Sequence, residues 1–544
     1  MRHAACAALA LALAVTGCSG STGAGSAARA GDGTLVVGEL AEPVSLNPLM
    51  LEGITSGMIG SILYSFLVTN DANGNLAPDV ATEVPTLANG GISRDGLRVT
   101  YHLHPNVRWH DGVPLTARDC VFTYRAIMDP HNNIPDRHGY DQIADVTAPN
   151  DTTVVVRLKR PYSPIVDTFL QLNGNYPIVP EHLMGKLPDL NNLDTKRYTV
   201  GSGPFKLVEW LHGDHITFAA NDDYFRGKPG LRRLVLRIIP SSPTMLNELR
   251  THEIDGAMTL TDPTQLKELR AVAGLRVMTT PSWGTQIVYF NAQSGPAADV
   301  AVRRALVRAI NSDLIERRAT QGAYGSEHAL RGLFGPYDAA PTLPTYDPAA
   351  AKAGLDAAGW TAGPDGVRVK NGQRFALNLV YSVAQPIFRV VATQLQEELH
   401  AVGADVSLHA YSQTQFMAPA GSGGPVFGGR FDLFLGNIFS AAGPDAGSFF
   451  MCSERAPAGF NLARMCDPRF DARVERALTV YDRAANRRDV AVMESLLVED
   501  APDVALGQVR FISAFTDRLR DVVPTPVSPF AGVWRWSLGA GGTP

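Results

Sequence analysis

Apolar and polar positions alternate along Arg98-Val99-Thr100-Tyr101-His102-Leu103, the period of a strand with one buried face. Further short strands are predicted over Thr34 to Leu40, Asp151 to Lys159 and Leu231 to Ile239. Asp111-Gly112 reads as a turn. Thr116 then caps a helix, with Asp119 three positions on as its capping-box partner.

The second half has a longer rhythm. Val302, Leu306 and Ile310 share one side of a helix predicted over Val300 to Arg318. Asp347-Pro348 opens another helix in the favoured order, cap and then proline. A β-α-β unit follows: strand Phe375 to Tyr381, helix Ile387 to Val402 ended by Gly403, strand Asp405 to Tyr411. A helical crossover this short implies parallel strands with a right-handed connection. After the glycine-rich stretch Gly421 to Gly429, Phe431 to Leu435 is a third strand. In open α/β sheets ligands sit beyond the carboxyl ends of strands, here Ser382 to Pro386 and Asn437 to Ser448.

The N-terminus does not fit these patterns. Met1 to His3, the apolar stretch Ala4 to Ala14 and Val15-Thr16-Gly17-Cys18 resemble a bacterial lipoprotein leader. The apolar run is too short to span a bilayer. Residues 1–17 are expected to be a signal peptide and Cys18 the lipidated residue, with 18–33, rich in Gly, Ser and Ala, as a flexible tether. The alternative is an ordinary secretory signal followed by an unrelated cysteine. Periplasm or cell surface is the expected location. At 544 residues the chain is long enough for two or three domains. A net charge of −5 and the lack of any Lys/Arg run give no nucleic-acid footprint.

Catalytic motifs do not emerge. A G-x-S-x-G elbow, H-E-x-x-H, a phosphate loop and a dinucleotide fingerprint are all missing from the sequence. His102, His104, His110 and Asp111 invite a metal reading but form no closed ligand set, so no metal or cofactor is expected, and no enzyme. Cys120 reads as a small core residue. Cys452 and Cys466 lie fourteen positions apart in a chain expected to be exported, where oxidising surroundings favour a bridge.

The chain from Thr34 to Leu538 resembles the family 5 extracellular solute-binding proteins, the peptide-binding subunits of bacterial ATP-driven importers. The matching segments are Glu42-Pro43-Val44-Ser45-Leu46-Asn47-Pro48, Leu76 to Ala81, Gly201-Ser202-Gly203-Pro204-Phe205, Asn221 to Pro229 and Tyr346 through Trp360. The strongest match is Val107-Arg108-Trp109-His110-Asp111-Gly112-Val113-Pro114-Leu115-Thr116-Ala117-Arg118-Asp119, whose tryptophan and glycines the resemblance makes structural. It implies an α/β, periplasmic-binding-protein-like, two-lobed Venus-flytrap of the class with an extra inserted subdomain. Mapped here, lobe I is 34–70, 200–285 and 508–544, the insertion 71–199 and lobe II 286–507. It further implies a monomer that captures peptides and delivers them to ABC permease subunits. The same fold serves nickel chelates, haem, glutathione and oligosaccharides. A chaperone-like surface lipoprotein is a further alternative.

Candidate ligand-binding residues are Leu46 and Asn47 in the first matched segment and Trp283, Tyr289 and Asn291 where the chain crosses between lobes. Tyr381, Gln385, Asn437, Phe439, Ser440 and Asp445 join them at strand ends. Many peptide-binding members carry, after the last of these strands, an aromatic and then an Asp that pairs with the peptide's α-ammonium. Aligned on Phe439, that position is Ala442, and the loop's remaining carboxylate is Asp445. Asp445 has taken over the amine, or the ligand has no free N-terminus, or Asp445 only caps or turns the loop before Ser448.

Overall fold

The computed structural model describes residues 32–51, 53–172, 176–260, 263–324, 331–439, 443–526 and 528–539. A ten-stranded mixed sheet runs through the chain, its two ends falling in the segments expected above as lobe II and lobe I. Its lobe II end holds, from the edge inward, Asp405–Tyr411, Ala376–Ser382 and Leu433–Phe439. Its lobe I end holds Gly256–Leu260, Thr34–Glu39, Arg233–Ile238, His215–Ala220 and Phe205–Leu211. Between the two ends lie two long antiparallel strands, Leu275–Phe290 and Asp503–Thr516.

The β-α-β unit is present as expected. Ala376–Ser382 pairs in parallel with both Asp405–Tyr411 and Leu433–Phe439. The connecting helix, Pro386–Ala401, buries Ile387, Phe388, Val391, Ala392, Leu395 and Leu399, the stripe its spacing dictates. The third strand continues to Phe439 instead of ending at Leu435, because all of it pairs with the crossing strand, Leu433 opposite Phe290 and Phe439 opposite Gly284. Asn437 and Phe439 therefore stand in a strand and not in a loop.

The single helix expected over 300–318 is two helices, Val300–Ala309 and Ser312–Thr320. Ile310 is extended, and the Asn311 side chain accepts from the Leu314 amide at 3.0 Å, so Asn311 caps a new helix. The Asn311 amide in turn donates to Glu398 at 2.8 Å.

A separate three-stranded antiparallel sheet, Arg98–His102, Thr153–Leu158 and Ile143–Asn150, has its own core around Tyr101, Trp109, Tyr140 and Phe169. Thr116 caps the helix Ala117–Met128 in a capping box, its amide donating to Asp119 at 2.7 Å. The W-H-D-G segment holds this unit to lobe I. His110 Nδ1 accepts from the Gly201 amide at 3.1 Å, and Nε2 faces the Gly203 carbonyl at 3.1 Å. Burial depresses the His110 pKa to about 4, so the ring is a neutral imidazole with one acceptor and one donor, as those two partners require. Gly201 is needed because a Cβ there would overlap the Leu63 carbonyl.

Candidate functional site

Two long strands cannot by themselves close a cleft. The inserted unit and lobe II also touch directly, along a seam built from side chains far apart in the sequence. The Ser163 amide donates to the Leu478 carbonyl at 2.6 Å, and its hydroxyl to the Ala477 carbonyl at 2.9 Å. The Tyr481 hydroxyl lies 2.9 Å from the Gly96 carbonyl and 3.1 Å from the Tyr162 carbonyl, and accepts from the Tyr162 amide at 3.2 Å. Leu478 packs against the cores on both sides. Arg483 donates to Asn75 at 2.9 Å and stands over the Tyr337 ring.

Asp445 belongs to this seam. Its Oδ2 is 2.9 Å from Nε2 of His138, on the inserted unit, and the Tyr162 hydroxyl is 3.4 Å from the same nitrogen. The hydrogen bond to Asp445, opposed by burial, lifts the His138 pKa to about 9, so the ring is protonated at neutral pH. Asp445 is thus not merely a helix cap. It stands in the first turn of the short 3-10 segment Pro444–Phe450, whose cap residue is Gly443, and its carboxylate reaches across to the other unit. Burial raises Asp167, also in the seam, to about 7, with Arg483 pulling the other way.

The other candidates divide into two groups. Trp283 lies at the seam, close enough to Gly74 that a Cβ there would meet the indole Cζ2 at 2.7 Å. Phe439 lies over Gly284 and is 45% exposed. Asn437 stands opposite Gln286, and among the described residues both Asn437 Oδ1 and Gln286 Nε2 are buried without a hydrogen-bond partner. Such orphaned groups are costly unless something satisfies them. Gln385 is half-buried at the start of the helix Pro386–Ala401. These residues line the crossing strands or the strand ends beside them.

The second group is packed away. Tyr289 is buried and stacks on Phe434 with ring centroids 5.4 Å apart. Asn291 uses its amide to hold the Gly429 and Phe431 carbonyls at 3.1 and 3.0 Å. Tyr381 is buried in the large hydrophobic core that runs from Val36 and Leu260 through Val288 to Leu395 and Leu433. Leu46 lies in the lobe I core, and Asn47 donates to the Leu190 carbonyl at 2.6 Å. Both also border a cavity of about 200 Å³ whose remaining walls come from 45–48 and 191–199, with no lobe II residue. Another cavity, of about 180 Å³, lies inside lobe II beside Val307, Tyr346, Leu497 and Val504. Neither cavity borders the place where charged groups from both sides converge. Ser440 and Cys18, with Ala442, lie outside the described residues. Cys452 and Cys466 are bonded, and Cys120 is a buried free thiol.

Sequence reasoning missed His138, Tyr162, Asp167, Tyr481 and Arg483. The only available signal was charge: an unpaired His and Arg in segments of no clear periodicity. Nothing local pairs His138 with a residue 307 positions away.

The sequence profile of bacterial extracellular solute-binding proteins, family 5, matches residues 75–459. The chain belongs to that family. It is 29% identical over 535 residues to protein XP55 of Streptomyces lividans, covering 94% of this chain and 91% of that one. It is 26% identical over 542 residues to the oligopeptide-binding protein AppA of Bacillus subtilis, covering 97% of each. Its fold is similar to that of NikZ from Campylobacter jejuni, solved with Ni(L-His), with a TM-score of 0.76, 23% identity and coverage of 93% and 99%. The family 5 chain seen here accordingly has a two-lobed solute-binding architecture.

Proposed function

We propose that this protein is an extracytoplasmic substrate-binding lipoprotein of an ABC transporter, which captures peptides between its lobes and delivers them to a membrane permease. Lobe I is 34–70, 200–285 and 508–544, the insertion 71–199 and lobe II 286–507, and Cys18 carries the lipid. The observation that supports this reading best is the seam. A few polar contacts between the inserted unit and lobe II lie beside two continuous strands, an arrangement suited to opening and closing about the strands. Trp283, Asn437, Phe439 and Asp445 supply the wall, an aromatic surface with a few polar groups that can cover side chains of varied shape.

Native mass spectrometry of the protein purified from its own cell envelope tests the ligand. A bound peptide is expected, whereas a metal chelate or a sugar would overturn that part of the reading. In the same preparation Cys18→Ser should move the protein from the membrane to the soluble fraction, because stable anchoring needs the lipid chains.

A second reading, a receptor of the same class for a non-peptide solute, is favoured by one observation. The carboxylate best placed to meet a peptide's ammonium already faces a protonated imidazole.

A further inference from the structure

We propose that His138 is the resident counter-ion of Asp445 and that it sets the charge the cleft accepts: the ligand end that reaches Asp445 is a neutral hydrogen-bond donor, not an ammonium. The inference rests on the peptide-receptor reading of the seam and adds a selectivity to it.

Three observations carry it. First, the pair spans the lobes. His138 Nε2 and Asp445 Oδ2 are 2.9 Å apart, one on the inserted unit and one on lobe II. Second, no other acid is at hand on this loop. Between Asn437 and Phe450 the sequence holds one carboxylate, Asp445. Third, Asp445 is only half used. Among the described residues its buried Oδ1 makes no hydrogen bond that meets ordinary geometry, the Tyr162 hydroxyl interacting with the carboxylate only weakly, while its Oδ2 is taken. One acceptor therefore remains, beside a positive charge that already balances the carboxylate.

An ammonium placed at Oδ1 would meet a neutralised pair and a like charge within a few Å, which disfavours it. An amide N–H or a hydroxyl would satisfy Oδ1 without adding charge. The surroundings do not reverse this balance. Asp136 and Asp141, on the inserted unit, lie near His138 and favour its protonated form. Asp167, raised by burial to about 7 and so only partly ionised at neutral pH, interacts with both Arg483 and Asp445. Tyr162 contributes a hydroxyl between them. The ligand class that fits is an N-acylated peptide, or a longer peptide that lays an internal amide against Asp445.

The test offers wild type, His138→Ala and His138→Gln two equimolar pools of randomised hexapeptides, one with free α-amines and one N-acetylated. Retained species are counted by native mass spectrometry. Wild type should retain the acetylated pool about tenfold or more over the free pool. Both variants should lose or reverse that preference, because Asp445 then lacks its counter-charge. Preference of wild type for free amines, or variants unchanged from wild type, would overturn the proposal. A ligand-free arm follows the His138 ring by NMR. Its titration midpoint should lie near 9 and fall toward the ordinary value in Asp445→Asn. A midpoint that ignores Asp445→Asn overturns the counter-ion assignment whatever binds. Retention of neither pool would count against the peptide reading, and the NMR midpoint would still decide the assignment of His138.

Discussion

Along the crossing strands the lobes are joined by backbone hydrogen bonds and by buried aliphatic side chains, among them Ile287, Leu506 and Ile512. At the seam, among the described residues, they are joined by tyrosine and serine hydroxyls, the His138 imidazole, the Arg483 guanidinium, the Ser163 amide and the apolar side chain of Leu478. The first junction loses its contacts only when the protein unfolds. The second can exchange each of its hydrogen bonds for one with water at small net cost, since a typical internal bond contributes about 0.5–1.5 kcal/mol. The register of the crossing strands also shifts between Pro281 and Gly284 and between Gln286 and Ile287. Those irregularities fall beside Trp283 and Gln286, where the strands pass the seam, and bulges bend and twist a strand locally. A junction of continuous backbone pairing next to one made mostly of side-chain contacts is the arrangement that the proposed opening and closing requires.

That contrast can be broken at either junction. The largest effect is expected at the strands. Ile512 is fully buried in the main core, and Ile512→Ala should lower global stability by about 2–5 kcal/mol, read as the midpoint of urea unfolding. It should leave the separation of the lobes in the native state unchanged.

Tyr481→Phe should do the reverse. It removes the hydroxyl shared by Gly96 and Tyr162. Closure should weaken by about 0.5–1.5 kcal/mol, seen as a larger radius of gyration in ligand-free solution scattering, with little change in the urea midpoint. An unfolding shift as large as that of Ile512→Ala would mean that the seam is part of the fold and not a latch.

The smallest expected effect is that of pH. His138 is raised in the closed protein above its ordinary value of about 6.5. Its contribution to closure is therefore fully present just below that ordinary value and is lost as pH rises through about 9. The His138 side chain is 55% exposed, so solvent screens the pair and the change should be modest. Scattering at pH 7 and pH 10 should show a slight opening that Asp445→Asn abolishes.

How much of this the sequence carried depended on range. The strand Ala376–Ser382, its helix and its parallel neighbour were legible because their periodicity is local. The capping box at Thr116 and the bridge between Cys452 and Cys466 were legible from spacing and context. The break at Ile310–Asn311 was not, because Asn311 fits a helical apolar pattern until its cap and its bond to Glu398 are seen. The strand continuation through Asn437 depends on a partner strand more than a hundred positions earlier. Trp283 and Asp445 were proposed from their place in the chain, since a crossing segment and a strand end are topological positions, and both stand near the inserted unit. Tyr289 and Asn291 occupy the same crossing segment, but they serve the core. Side-chain direction alternates along a strand, so membership in the segment does not say which residues face the cleft. His138 was invisible because its role exists only when two distant units touch.

The central place of Asp503–Thr516 in the sheet has a consequence for how the molecule is made. It lies between Leu275–Phe290 and Gly256–Leu260, and so links the two ends of the ten-stranded sheet. Yet it is the last strand of that sheet to leave the ribosome. The inserted unit and the β-α-β unit of lobe II are continuous in sequence and can assemble as they appear, whereas the sheet stays split until the final segment arrives. The strand that locks the two ends together is therefore delivered last, once nearly all of the chain is available to pair with it.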